Sequence, residues 1–305
     1  MMHKPSTLQT YLLVFVFVCA SLFFAITKQV ADDVNKSLTE KTSGKPKIIT
    51  PKSVQVEAEV AVATVIPTET ATPPLVQATL TTGEYLMVTD SCGAHFSGEC
   101  LRVRSGPGTN FPVVASLRNG MVLKIDETIM VDNVPWHKII FDEWLRYPKR
   151  HKGDWYVAGT YVTVVEAEGT RVVSSTTPST TKSIVVDRSA QMLYAYDGDN
   201  LFMSATTSTG LDSTPTPRGV FSVYKKTPSR YMQGPLPNIN SDQYYDLPGV
   251  PWNLYFTEGG AVIHGAYWHD KFGTKYSHGC VNLSPEIARI VYEWAELGTV
   301  VIVRD

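Results

Sequence analysis

The feature that most constrains the fold of this chain is a long stretch without aromatic residues. Residues 28–82 contain no Phe, Trp or Tyr and are rich in Thr, Val, Ala, Pro and Glu. Without large apolar side chains, such a stretch cannot bury enough surface to offset the conformational entropy lost on folding. We therefore predict a disordered tether over residues 28–82, and we expect compact globular structure only after it.

The N-terminus carries an uncharged apolar run, residues 11–26, which follows His3 and Lys4. The run is longer than most signal-peptide cores and, extended by Thr10 and Thr27, crosses a bilayer with little tilt. No small-x-small cleavage spacing follows it. We predict an uncleaved transmembrane signal-anchor in residues 1–27, with the bulk of the chain on the extracytoplasmic side of the cell membrane. Secretion after signal cleavage is the alternative.

Charge and cysteine content exclude several classes of protein. The chain of 305 residues has 27 Lys and Arg against 29 Asp and Glu, so no basic surface predicts a nucleic-acid partner. No CxxC is present, which argues against a structural zinc site. Of the four cysteines, Cys19 lies in the apolar run, and Cys280 lies near the C-terminus. Outside the membrane, Cys92 and Cys100 either form a disulfide or remain two thiols.

Residues 83–166 contain short alternating runs separated by turn residues, which indicates a small all-β unit. Residues 102–109 read Arg-Val-Arg-Ser-Gly-Pro-Gly-Thr, and this run resembles bacterial SH3 (SH3b) domains. The resemblance implies a small SH3-like barrel that binds cell-wall polymer and does no chemistry. The charged segment 142–152 departs from the family pattern and is predicted to be a surface insertion. A Ser/Thr-rich linker is predicted over 167–182.

A short run near the C-terminus carries the chemistry of this chain. The run is Ser277-His278-Gly279-Cys280-Val281-Asn282, and His264-Gly265 lies upstream of it. Cysteine attacks as the thiolate, and a nearby imidazole promotes the attack by accepting the thiol proton. A glycine beside the cysteine allows a substrate to approach closely and leaves backbone N–H groups to bind a developing oxyanion. The pattern indicates a cysteine nucleophile activated by a histidine.

The sequence around this run predicts its local structure. Residues 261–264 are apolar and predict a buried strand that ends at His264. Ser284 is a good N-cap and Pro285 suits a first helical position, so a helix is predicted to follow and to end at Gly298. Cys280 is therefore expected on the loop that enters this helix.

The His-Gly and Ser-His-Gly-Cys-x-Asn pattern resembles the active-site signature of the L,D-transpeptidases of bacterial cell walls, the YkuD-like family. The resemblance implies a mostly β chain, with a β-sandwich catalytic domain and its C-terminal helix over residues 183–305. It also implies roles: Cys280 is the nucleophile, His264 is the general base and acid, and the Gly265 carbonyl orients His264. The backbone of Gly279 contributes to the oxyanion hole, and no cofactor is required.

Other residues near the signature are assigned from their own sequence surroundings or from their position in the family pattern. His269 is interpreted as a surface residue, and residues 227–251, which are rich in Pro and Gly, are predicted to form an irregular lid over the cleft. We predict no metal, because a metal-bound thiolate is a poor nucleophile. The aromatic residues that flank the site, of which one or two are expected to line the groove, are Trp252, Tyr255, Phe256, Tyr267 and Trp268. The residues assigned to substrate binding are Ser277, His278, Asn282, Tyr267 and Trp268. In the alternative, the Ser277 hydroxyl hydrogen-bonds Cys280 and Asn282 holds a loop.

The implied activity is acyl transfer between peptidoglycan stem peptides, which gives a 3→3 cross-link and releases D-alanine. Three alternatives stay open on the sequence. Water as the acceptor gives an L,D-carboxypeptidase, and a protein amine as the acceptor gives attachment of a protein to the wall. The third alternative is a non-catalytic protein that binds the wall through the SH3b domain.

Overall fold

A computed structural model describes residues 82–96, 100–172, 180–235 and 244–305. All of these residues belong to one compact unit, Pro74–Asp305. The predicted signal-anchor, and the predicted tether apart from Thr82, lie outside the described residues. No helix in the described part of the chain is long and apolar enough to cross a membrane.

The described residues form seventeen strands and one α-helix, so the prediction of a mostly β chain is confirmed. The helix, α1, spans Pro285–Trp294. The strands are β1 (Thr82–Val88), β2 (Leu101–Arg104), β3 (Val113–Leu117), β4 (Val122–Val131), β5 (Val134–Ile140), β6 (Trp155–Ala158), β7 (Val162–Glu168), β8 (Arg171–Val172), β9 (Lys182–Asp187), β10 (Met192–Asp197), β11 (Asn200–Thr206), β12 (Gly219–Ser222), β13 (Lys225–Pro235), β14 (Tyr244–Tyr255), β15 (Val262–Gly265), β16 (Val281–Leu283) and β17 (Val300–Arg304).

The first seven strands make one sheet in the order β3-β2-β6-β5-β4-β1-β7. Alternate residues point inward and bury Leu86, Leu117 and Leu123 completely in a common core. The loop before β2 is closed by a disulfide between Cys92 and Cys100, so the bonded alternative is the one present. The sheet agrees with the predicted all-β unit, and its identity as an SH3b domain stays a prediction.

The remaining strands form two five-stranded sheets with α1. Their orders are β11-β10-β9-β17-β12 and β16-β15-β14-β13-β8. The helix begins as predicted, with Ser284 as its N-cap and Pro285 in the first turn. It ends at Trp294, and not at Gly298, because Ala295 is extended and the Gly298 N–H donates to the carbonyl of Val223. The helix is thus shortened by a contact between distant parts of the chain.

The prediction of an irregular segment over 227–251 was wrong for residues 227–235 and 244–251, and residues 236–243 lie outside the described residues. β13 and β14 form a long antiparallel hairpin, whose register shifts between Arg230 and Met232. Proline has no N–H for a strand ladder, so it fits a strand only where no such bond is made. Thr227 pairs with Asn253 and Ser229 pairs with Pro251, so Pro228 between them is left out of the pairing. Trp252, which lies opposite Pro228, has a positive φ of 60°. The prolines therefore interrupt the pairing without preventing it.

The predicted linker, 167–182, is partly ordered strand. β7 continues through Glu168, Arg171–Val172 pairs with β13 as β8, and β9 begins at Lys182. Residues 173–179, which make up most of its Ser/Thr-rich centre, lie outside the described residues.

The first sheet and the C-terminal sheets pack against each other across shared cores. Tyr85 and Val122 of the first sheet are buried in the C-terminal core, and Val250 of β14 is buried in the first one. The Ser229 hydroxyl donates to the carbonyl oxygen of Val122 at 2.6 Å. The first sheet and the C-terminal sheets therefore share buried side chains and are joined by hydrogen bonds.

The charged segment 142–152 is more than a surface insertion. Glu143 forms an ion pair with Arg230 of β13, and both side chains are only 23% exposed. The Tyr231 N–H donates to Glu143 Oε1 at 2.6 Å, and the Tyr147 N–H donates to Gln233 Oε1 at 3.0 Å. The segment therefore fastens the hairpin β13–β14 to the first sheet.

Candidate active site

The candidate site lies where β15 and β16 run side by side. These strands pair in parallel, with Ile263 opposite Val281 and His264 opposite Asn282. Every residue of both strands is buried, as the apolar sequence predicts. Cys280 directly precedes β16, so the pairing brings the Cys280 loop beside the strand that carries His264.

His264 is buried, and a contact of one ring nitrogen with the backbone fixes the orientation of its imidazole. Its Nδ1 lies 3.0 Å from the carbonyl oxygen of Gly265, the atom that the resemblance implies as its partner. Because a carbonyl only accepts, Nδ1 carries the proton and Nε2 keeps a free lone pair. Burial lowers the pKa of His264 to about 4, although the bond to Gly265 favours the charged form. The side chain is therefore a neutral base at pH 7.

Cys280 is half-buried, and its environment favours the thiol over the thiolate. Burial raises the pKa of Cys280, and the hydrogen bond from the Val262 N–H offsets this only in part. The sulfur also lies 3.9 Å from the carbonyl oxygen of Gly260. At pH 7 the Cys280 thiol and the His264 imidazole are thus both neutral.

Two hydroxyl groups hold the backbone of the Cys280 loop. Ser277 Oγ donates to the carbonyl oxygen of Cys280 at 2.5 Å, and Thr216 Oγ1 donates to the same oxygen at 3.3 Å. Thr216 is fully buried, and it also accepts the Gly210 N–H at 2.9 Å. Thr216 was not predicted as a site residue, and the Thr-Pro-Thr-Pro run at 214–217 is the sequence signal that marks it. The hydroxyl of Ser277, predicted to bind substrate, is engaged within the loop.

Gly279 has a backbone conformation that suits glycine. Its φ of 124° is one that side-chain-bearing residues rarely adopt, and a Cβ there would lie 3.8 Å from the nearest atom, the Thr214 carbonyl oxygen. The requirement is therefore conformational, since the space is open. The Gly279 N–H donates to Ser277 Oγ at 3.2 Å. To bind an oxyanion, as predicted, this N–H has to exchange that long hydrogen bond for one to the substrate.

The interpretation of His269 as a surface residue was wrong. The side chain is 3% exposed and its Nε2 lies 2.9 Å from the Asn282 amide nitrogen. Its Nδ1 accepts the Lys271 N–H at 3.1 Å, so in the neutral ring the proton is on Nε2. The Nε2–H group then needs an acceptor. We therefore assign the Asn282 amide with its oxygen and nitrogen exchanged, so that Oδ1 faces Nε2. Burial lowers the pKa of His269 to about 4, against the effect of Asp270.

The other residues assigned to substrate binding fall into different environments. Asn282 is buried against His269, and Tyr267 is buried with its hydroxyl donating to the Pro248 carbonyl at 2.8 Å. The ring of Trp268 lies 5.7 Å from that of His264, so Trp268 packs beside His264. His278 is exposed on the loop surface. Of these residues, Trp268 is partly exposed and His278 is exposed, whereas Ser277, Tyr267 and Asn282 are buried.

The hairpin β13–β14 also borders the site. Burial, and after it the proximity of Cys280, raise the pKa of Tyr245 on β14. Burial likewise raises the pKa of Tyr255 well above its usual range, and Cys280 again contributes. Both tyrosines therefore stay neutral and lie close enough to Cys280 to be affected by its charge. No group of three His, Cys, Asp or Glu side chains positioned for a metal occurs within the described ranges.

Residues 181–303 match the family model of the YkuD L,D-transpeptidase catalytic domain. L,D-transpeptidase 2 of Mycobacterium tuberculosis (strain CDC 1551 / Oshkosh) is 30% identical over 119 residues, which cover 38% of this chain and 29% of that protein. The chain thus spans less than a third of the length of this curated relative.

Two solved structures are also similar. The catalytic domain of the E. faecium L,D-transpeptidase, solved by NMR, is 29% identical, with 40% of this chain and 96% of that chain covered and a TM-score of 0.36. An L,D-transpeptidase from Mycobacterium smegmatis is 20% identical, with 56% and 91% covered and a TM-score of 0.39. The C-terminal part of this chain, residues 181–303, carries the sequence pattern of the YkuD L,D-transpeptidase catalytic domain.

Proposed function

We propose that this protein is a peptidoglycan L,D-transpeptidase that forms 3→3 cross-links through an acyl-enzyme on Cys280. The observation that carries the proposal is the parallel pairing of β15 with β16, which brings the Cys280 loop beside His264. The family match over residues 181–303 supports the same reaction class.

In the first step, the Cys280 sulfur attacks the carbonyl that joins the third stem residue to the terminal D-alanine. The thiol proton passes to Nε2 of His264 as the S–C bond forms, because neither group is charged at rest. The backbone N–H groups of Gly279 and Cys280 stabilise the oxyanion. The C–N bond then breaks, His264 protonates the departing amine, and D-alanine leaves.

In the second step, an amine of a neighbouring stem attacks the thioester. His264 accepts a proton from this amine, the C–S bond breaks, and the Cys280 thiol is restored with its proton. The new amide is the cross-link. Water in place of the amine gives the carboxypeptidase reaction, and a protein amine gives attachment of a protein to the wall, by the same chemistry.

We propose an extracytoplasmic location, with the N-terminal run as a membrane anchor and the first sheet as the unit that binds wall polymer. The Cys92–Cys100 disulfide supports an oxidising compartment. Wall binding is supported by a cavity of about 880 Å³ beside this disulfide, whose lining includes Trp136 and Tyr161.

The test is mass spectrometry of the products formed from disaccharide-tetrapeptide by the full-length protein and by Cys280→Ala. A cross-linked dimer that is absent with Cys280→Ala is the expected result. Tripeptide without dimer would make the protein a carboxypeptidase. No product dependent on Cys280, together with binding to wall polymer, would instead identify a non-catalytic wall-binding protein.

A further inference from the structure

A polar cleft lies between the first sheet and the hairpin β13–β14. We call it the interface cleft; its volume is about 600 Å³, and its charged lining residues are Lys124, Asp142, Glu143, Lys225 and Arg230. Tyr255, at the end of β14, also lines it. A cleft of this size, with several charged side chains converging on it, is suited to a polar ligand.

The charges of the interface cleft do not cancel. Lys124 is paired with Asp142, and Arg230 is paired with Glu143. Lys225 has no hydrogen bond or ion pair among the described residues, and its Nζ lies 4.8 Å from the centre of the Tyr255 ring. Burial, and after it Arg230, lower the pKa of Lys225. One cation is therefore left without an anion in a partly desolvated position, which is unfavourable until an anion binds.

A second group in the cleft lacks a partner. The Tyr255 hydroxyl oxygen is buried and makes no hydrogen bond within the described part of the chain. Because its pKa is raised by burial, the hydroxyl is a neutral donor at every physiological pH. An ammonium beside an unused hydroxyl donor is a pair that fits a carboxylate.

The strand register connects this pair of groups to the nucleophile. Lys225 lies opposite Tyr255, and Tyr255 lies opposite Val262. Because Ile263 pairs with Val281, Val262 lies opposite Cys280 in the same transverse row. Neighbouring strands are about 4.8 Å apart, so Tyr255 and Cys280 are separated by about 10 Å along the row. An extended peptide spans that distance in about three residues.

We propose that Lys225 and Tyr255 bind a carboxylate of the stem peptide whose reacting group lies at Cys280. The proposal rests on the proposed function for the identity of the peptide. Lys124 of the first sheet, together with Asp142 and Glu143, would then form one wall of the substrate site. The carboxylate belongs either to the acyl donor or to the acceptor, and the experiment distinguishes these two sources.

The experiment compares stem tetrapeptides whose carboxylates are free with the same peptides amidated. Dissociation constants are measured by calorimetry on full-length Cys280→Ala protein, with Lys225 intact or changed to Gln. Amidation is expected to weaken binding by about 10- to 100-fold when Lys225 is present, and by less than about 3-fold in Lys225→Gln. Lys225→Arg should restore most of the difference, and Tyr255→Phe should reduce it. Lys152→Gln, an exposed lysine outside the cleft, should behave like the parent protein.

Turnover separates the two sources of the carboxylate. These reactions use protein with Cys280 intact. If Lys225 and Tyr255 bind the donor carboxylate, amidation of the donor alone slows D-alanine release. If they bind the acceptor carboxylate, amidation of the acceptor alone slows dimer formation. The same amidation effect with and without Lys225, or none in either, would overturn the proposal. Absence of turnover would refute the proposed function, whereas the calorimetric comparison still decides whether Lys225 binds a carboxylate.

Discussion

Two regions of the molecule are stabilised by different kinds of polar contact. One is the loop and strand ends around Cys280, which we call the corner, and the other is the interface between the first sheet and the hairpin β13–β14. At the corner, neutral hydroxyls and imidazoles bond to backbone carbonyls and amides, as between Ser277 and Cys280. At the interface, charged side chains form ion pairs, as between Glu143 and Arg230. Neutral contacts in a buried corner resist salt but respond to acid, whereas ion pairs at a partly exposed interface respond to salt. The two regions therefore differ in which change of solution conditions perturbs them: acid for the first and salt for the second.

The largest expected effect concerns the proposed role of His264 as the general base. His264→Gln keeps a polar side chain but removes the only imidazole whose Nδ1 is fixed by Gly265. Because proton transfer then lacks its acceptor, acylation of Cys280 should slow by about 10²- to 10⁴-fold, measured as D-alanine release. The wild-type rate constant for acylation should fall only as the pH approaches 4, the pKa of the buried imidazole.

His95→Gln is the matched control, because it removes an exposed imidazole of the loop between β1 and β2, whose partner is the exposed carboxylate of Asp270. A comparable loss of acylation in His95→Gln, or full activity in His264→Gln, would show that His264 is not the base.

The next effect tests the acid sensitivity of the corner. Burial lowers the pKa of His264 and His269 to about 4 each, so between pH 6.5 and 4 the unfolded chain binds protons that the native protein does not. Stability should therefore decrease as the pH falls through this window. His269→Asn removes one such group, and its free energy of unfolding should depend on pH less steeply by about 1.4 kcal/mol per pH unit. Urea unfolding at several pH values measures both slopes, and equal slopes would mean that His269 is accessible to protons.

A smaller effect tests the hydroxyl contacts. Thr216→Val is nearly isosteric, but it removes the donor to the Cys280 carbonyl and leaves the Gly210 N–H without its acceptor. Loss of a buried partner should lower the free energy of unfolding by about 1–3 kcal/mol. Thr214→Val is the matched control, because the Thr214 hydroxyl is buried and has no hydrogen bond to any residue that the structure describes. It should leave stability unchanged or raise it, and equal losses in the two variants would mean that the Thr216 bonds contribute nothing.

The corner was more predictable from the sequence than the interface because its contacts are local. The N-cap at Ser284 and the contact of His264 with Gly265 join residues next to or near each other in the chain. The burial of His269 was missed because it depends on Asn282, whose position is fixed only when β16 pairs with β15.

The hairpin and its attachment were missed for a related reason. Periodicity within residues 227–251 is hidden by five prolines, and the strands are recognisable only from their pairing with each other. The bond between Glu143 and Arg230 joins residues 87 positions apart. No local pattern carries information about such a contact, so the segment 142–152 looked like an ordinary charged surface.

The smallest expected effect tests the interface. Glu143→Gln removes the charge that pairs with Arg230 but keeps an acceptor for the Tyr231 N–H. The free energy of unfolding should fall by about 1 kcal/mol at low salt, and by less at high salt, because screening weakens the wild-type ion pair. Glu127→Gln, in which an exposed carboxylate 3.7 Å from Lys138 is lost, should change stability by under about 0.5 kcal/mol. A loss in Glu143→Gln that does not vary with salt would mean that packing, and not charge, fastens the hairpin to the first sheet.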